Sequence, residues 1–95
     1  MGEMGRTPRI NGAAGRDHWV NCMSVVLAGG GIVGGRVYGA SDAHAAYPKD
    51  SPLDYRDLFT SIYSCLGVDP HTELPDAQGR PLRVCNGQVI PGLLA

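Results

Sequence analysis

Only one segment of this chain repeats its apolar residues at a regular interval. Tyr55, Leu58, Phe59, Ile62, Tyr63 and Leu66 follow the i, i+3, i+4, i+7, i+8, i+11 spacing of one helix face. An amphipathic helix is therefore the fixed point around which the rest must fold. The spacing predicts its start at Ser51 as N-cap, with Pro52 in the first helical position and Asp54 in the third, where a carboxylate answers free N–H groups and the positive end of the dipole. Gly67 is expected to stop it. The remainder is broken by 14 glycines and 7 prolines among 95 residues, so its strands must be short and its loops long.

Ser24–Ala28 is apolar and rich in β-branched residues, the pattern of a strand covered on both faces. After the turn at Gly29-Gly30-Gly31, Ile32-Val33 resumes the pattern, and Arg36–Tyr38 is expected to return as a second strand. Beyond the helix, Asp69-Pro70, Leu74-Pro75 and Gln78-Gly79-Arg80-Pro81 are turn sequences. Leu82–Val84 and Gln88–Ile90 are predicted to pair across a type I′ turn at Asn86-Gly87. One helix and four short strands leave more apolar surface than elements to cover it. The expectation is a single partial domain over residues 1–95, the C-terminal portion of a larger α/β domain whose missing part lies upstream. The apolar Leu93-Leu94-Ala95 is expected to dock.

Charge and hydropathy remove several functions. Lys plus Arg number 8 against 9 for Asp plus Glu, which gives no basic excess to draw the chain onto nucleic acid. The longest apolar run, Val25–Val33, is less than half of the roughly 20 residues a membrane span requires. Met1–Arg6 lacks the basic and apolar regions of a secretory signal, so no export address is expected in this chain. Cys22, Cys65 and Cys85 form no C-x-x-C pair and read as buried small hydrophobes.

Three segments carry candidate chemistry. Gly29, Gly31 and Gly34 spell G-x-G-x-x-G after a predicted strand, but the following Gly35-Arg36-Val37-Tyr38-Gly39 is not a helix start, so these glycines read as backbone devices. Gly15-Arg16-Asp17-His18-Trp19 is the chemically richest stretch. An imidazole at His18 can ligate a divalent metal, and Asp17 can ligate it or accept a hydrogen bond from the ligand. The plainer alternative is a surface loop in which Asp17 caps a turn and Trp19 packs. Glu3 and Arg6 bracket Gly5; Glu3 can serve as a metal ligand and Arg6 can clamp an oxyanion bidentately, or both can belong to a solvated terminus. Asp42 and His44 read as mostly structural and His71 as a surface residue. Thr7, Ser24 and Ser41 offer hydroxyls, none in the strand-to-helix setting of a nucleophile elbow.

These segments also carry a resemblance. Gly2-Glu3-Met4-Gly5-Arg6-Thr7-Pro8-Arg9-Ile10-Asn11, Gly15-Arg16-Asp17-His18-Trp19, Leu27-Ala28-Gly29-Gly30-Gly31-Ile32 with Gly34-Gly35 and Val37-Tyr38-Gly39, and later Leu74-Pro75-Asp76 with Gly79-Arg80-Pro81-Leu82, resemble the C-terminal part of the domain-of-unknown-function 1501 family. Those are exported bacterial proteins related to sulfatases and alkaline phosphatases. The resemblance implies the end of an alkaline-phosphatase-like three-layer α/β domain that hydrolyses phosphate or sulfate esters with a divalent metal ion (zinc, manganese or calcium), and a periplasmic or exported location. It puts Glu3 and His18 at ligand positions and Asp17 as accessory ligand or orienter. Arg6 or Arg16 would sit against the anionic oxygens of a small ester substrate. Met4 departs from the superfamily, which commonly has histidine there, and the nucleophile would lie in the absent N-terminal portion, leaving this chain inactive alone. The alternative is a non-catalytic relative whose same loop binds a carbohydrate or an envelope partner.

Overall fold

The computed structural model describes all 95 residues. The chain is a small mixed α/β protein of three short antiparallel strand pairs and one helix: β1 (Gly5–Arg6), β2 (His18–Trp19), β3 (Ala40–Ser41), β4 (Pro48–Asp50), α1 (Tyr55–Cys65), β5 (Glu73–Pro75) and β6 (Pro81–Arg83). It divides into two compact units, one of Met1–Leu27 with Val37–Pro52, the other of Ala28–Arg36 with Leu53–Ala95. No helix is long and apolar enough to cross a membrane.

The first unit is built from β1 paired with β2 and β3 paired with β4. Gly5 stands opposite Trp19 and Arg6 opposite His18. A Cβ at position 5 would lie 2.1 Å from the Cys22 carbonyl oxygen and 2.8 Å from that of Trp19, so only glycine lets the two segments approach this closely. No side chain in this unit is fully buried. Its order comes from polar loops, in which short side chains take the place of ladder partners. Ser24–Ala28 is not the expected buried strand: it lacks regular structure and Val26 is 88 % exposed. Arg36–Tyr38 is likewise no return strand, with Val37 94 % exposed.

The second unit is organised around α1. Asp54, extended at φ −97° and ψ 155°, is the N-cap. Its carboxylate accepts from the Arg56 N–H at 2.8 Å, while Asp57 Oδ2 accepts from the Asp54 N–H at 3.1 Å, closing a capping box. The start therefore falls three positions after the expected Ser51, whose φ of 47° keeps it outside a helical entry. The end is as expected: Gly67 turns left-handed, its N–H donates to the Ser64 carbonyl, and Val68 N–H donates to that of Tyr63, the two bonds of a Schellman stop.

The fully buried residues of α1 are polar. Thr60 and Ser61 are fully buried, while of the apolar stripe Leu58 and Ile62 are half-buried and Tyr55, Phe59, Tyr63 and Leu66 are exposed. The cause is the segment after β6. Asn86-Gly87 does not turn a hairpin; β6 pairs with β5 instead, and residues 87–90 lie along the helix. Gly87 N–H donates to Thr60 Oγ1 at 3.2 Å, Gln88 N–H to Asp57 Oδ1 at 2.8 Å, and Ile90 N–H to Ser61 Oγ at 2.9 Å. Three backbone donors that a ladder would have satisfied are thus met by helix side chains. A Cβ on Gly87 would sit 2.3 Å from the Arg56 backbone, which fixes glycine there.

Cys85 and Ile90 complete this minimal core. Cys22 and Cys65 are only half-buried, and all three thiols are free. Leu94 bridges antiparallel to Ile32, Val33 N–H donates to the Leu93 carbonyl at 2.9 Å, and Ala95 N–H to that of Gly31 at 2.8 Å. The last residues therefore dock on the stretch after the glycine run, and no helix opens directly after Gly34.

Candidate functional site

The β1–β2 pairing sets Arg6 directly across from His18, with Glu3 just ahead of one strand and Arg16-Asp17 just ahead of the other. The sequence clusters at Glu3–Arg6 and Gly15–Trp19 thus belong to one hairpin. Its loop is wound by Asn11, whose Oδ1 accepts from the N–H groups of Ala13 at 3.0 Å and Gly15 at 2.9 Å, an Asx-type turn that tolerates Ala14 at φ 58°. Thr7 closes it. Its N–H donates to the Asp17 carbonyl and its hydroxyl accepts from the Asp17 N–H at 3.1 Å.

Glu3, Arg6, Arg16, Asp17 and His18 are all exposed. Asp17 is oriented, since its Oδ1 accepts from Asn11 Nδ2 at 3.1 Å; the turn-capping role falls to Asn11. Arg16 braces the loop through one nitrogen, Nη1, which donates to the carbonyls of Thr7 at 2.7 Å and Pro8 at 2.8 Å. Its guanidinium has further N–H donors for an anion. Arg6 Nη1 reaches the Arg16 carbonyl at 3.4 Å. Arg6 also borders a pocket of about 320 Å³ that Ser24, Ser41 and Cys22 line; the Ser41 hydroxyl donates to the Asp42 carbonyl at 3.1 Å.

One imidazole and two carboxylates are donors of the kind a divalent cation takes. They suit such an ion in type but not in number, because no three His, Cys, Asp or Glu side chains of the chain come together as a group that could hold a metal.

The other histidines lie elsewhere. His71 Nδ1 is 2.7 Å from Arg83 Nη2; a guanidinium only donates, so Nδ1 accepts and its lone pair is engaged. His44 rides the turn that joins β3 to β4, where Asp42 Oδ1 accepts from the N–H groups of His44 and Ala46. The Ala46 N–H, foremost, holds the Asp42 carboxyl below the usual carboxylate range.

That turn reaches back to β2: Trp19 Nε1 donates to the Ala46 carbonyl at 2.7 Å, and the Trp19 and Tyr47 rings meet edge to face, 5.7 Å apart at 66°. Tyr47 and Arg9, which share a groove with Trp19 and His44, lie outside the polar clusters that the sequence singles out as candidate sites. The available signal was an aromatic next to proline, Tyr47-Pro48, after the turn-forming Asp42.

No curated protein and no solved structure matches this chain. One family model does, over residues 1–94: that of the protein of unknown function DUF1501. With the match running through every segment just described, the chain belongs to the DUF1501 family.

Proposed function

We propose that the β1–β2 hairpin supplies part of the active site of a metal-dependent phosphate- or sulfate-ester hydrolase of the alkaline phosphatase and sulfatase type, built on that superfamily's three-layer fold. The observation that supports the reading is the register of Arg6 against His18, which puts the two polar clusters on the two strands of one hairpin. Glu3 and His18 are the proposed ligands of a divalent ion, with Asp17 held by Asn11 so that it can ligate or orient. When bound, such an ion neutralises charge that builds on the ester oxygens. Arg6 and Arg16 hold the anionic oxygens of the substrate through directed N–H donors. The remaining ligands and the nucleophile come from protein outside these residues. The exposed apolar face of α1, with Phe59 44 % and Leu66 71 % accessible, favours packing against further protein of the same domain.

The test is calorimetric titration of the chain with zinc and manganese, in wild type, His18→Ala, Glu3→Gln and His71→Ala. The expected outcome is saturable binding that His18→Ala abolishes, Glu3→Gln weakens and His71→Ala leaves alone. Equal binding in wild type and His18→Ala would overturn the ligand assignment.

A further inference from the structure

The first unit holds a second concavity whose chemistry the hydrolase reading does not use. It is a groove of about 590 Å³ lined by Trp19 and Tyr47, with Thr7, Pro8, Arg9 and His44 around them. We propose that this groove binds an acidic sugar, a pyranose ring bearing a carboxylate or a sulfate.

The ring shape follows from the aromatic geometry. Trp19 and Tyr47 meet at 66°, so they form a corner. Each ring then offers one face to a ligand, on which a chair-shaped pyranose lays its C–H face while its equatorial hydroxyls turn toward the edges. Trp19 is fixed for this by its bond to the Ala46 carbonyl, and Tyr47 stays 52 % exposed. Pre-set rings of this kind lose little conformational freedom on binding.

The charge follows from the rim. The lining holds the guanidinium of Arg9 and the imidazole of His44 but no carboxylate. Arg9 is outside both ion pairs of the chain, Arg56 with Asp54 and Arg80 with Asp76. Asp42, the acid on the turn that carries His44, stays anionic but lies outside the lining, its Oδ1 accepting from the backbone N–H groups of His44 and Ala46, so Arg9 is the cation the groove itself offers. An anionic substituent on the sugar is therefore the complement of this rim. A polynucleotide is disfavoured by the net charge of −1.

Trp19 is the only tryptophan of the chain, so its emission reports the groove directly. Titration of the full chain with glucuronate and with N-acetylglucosamine 6-sulfate, in EDTA, should give a saturable change with at least one of them; which one responds assigns the acidic group. Neutral N-acetylglucosamine should bind at least about tenfold more weakly, about 1.4 kcal/mol. Arg9→Gln, at an exposed position, and Tyr47→Ala should each weaken binding by a similar factor, and Arg80→Gln should not.

The inference is overturned by no saturable response to either acidic sugar, by equal binding of the neutral sugar, by tighter binding of adenosine 5′-monophosphate, or by undiminished affinity in Arg9→Gln. Because the assay excludes metal, its outcome is separate from that of the ligand assignment for Glu3 and His18.

Discussion

The two compact units solve the same shortage of apolar core in different ways. In the second unit a backbone segment is laid onto a helix, and its N–H groups are received by Asp57, Thr60 and Ser61, with Cys85 and Ile90 buried. In the first unit nothing is fully buried; Asn11, Thr7, Arg16 and Asp42 hold loops through hydrogen bonds to backbone. Such bonds contribute roughly 0.5–1.5 kcal/mol each where water competes. Candidate chemistry sits on the unit without a core, the arrangement in which binding residues gain reach at the expense of local stability.

The sharpest way to break this contrast is at the two glycines that permit close approach. Gly87→Ala drives a Cβ into the Arg56 backbone and should lift the 87–90 segment from α1, at a cost of about 3 kcal/mol or more in thermal unfolding. Gly5→Ala meets an equally close obstacle but exposes no buried side chain. It should appear mainly as lost hydrogen-exchange protection of the β1 and β2 amides.

Next in size is Ile90→Ala, expected to destabilise by about 2–4 kcal/mol in urea unfolding. Phe59→Ser, on the exposed helix face, should stay within about 0.5 kcal/mol in the chain by itself. A large loss from Phe59→Ser would show that the apolar face is already covered within the chain.

Smaller again is Asp57→Ala, which removes the capping-box carboxylate and the acceptor for Gln88; a loss of about 1 kcal/mol is expected. In the first unit, Asn11→Ala should cost a comparable amount and raise exchange at Ala13 and Gly15, with little change in the second unit's protection.

The smallest effect is pH dependence. The Gln88 N–H, then that of Asp54, lowers the Asp57 carboxyl, and the Arg80 N–H chiefly lowers Asp76. A carboxyl lowered in the folded state stabilises it fully above the unfolded value of about 3.9, and that contribution fades as pH falls through the folded value. Melting temperature should thus be flat from neutral pH to about 5 and fall below 4, less steeply in Asp57→Ala.

The helix and its Gly67 stop were legible because both are local: a six-residue stripe and a left-handed turn residue. Which face would be buried was not. The stripe pointed to Phe59 and Leu66, but the unpaired N–H groups of 87–90 sought Thr60 and Ser61, a long-range demand invisible in periodicity. Asn86-Gly87 misled for a related reason, since a dipeptide suited to a tight turn also suits close backbone approach. At the candidate site, the residue types at Glu3, Arg6, Arg16, Asp17 and His18 were legible one cluster at a time. Their union depended on pairing across an eleven-residue loop, and Tyr47 reached the Trp19 groove only through the Asp42 turn.

The most direct test follows the three histidine imidazoles by NMR while zinc is added to the chain. The account expects His18 to shift first and saturably, with His71 unmoved because Arg83 engages its Nδ1 and His44 lagging behind His18. Simultaneous, unsaturated shifts of all three, or a shift led by His44 or His71, would contradict a metal role for the β1–β2 hairpin.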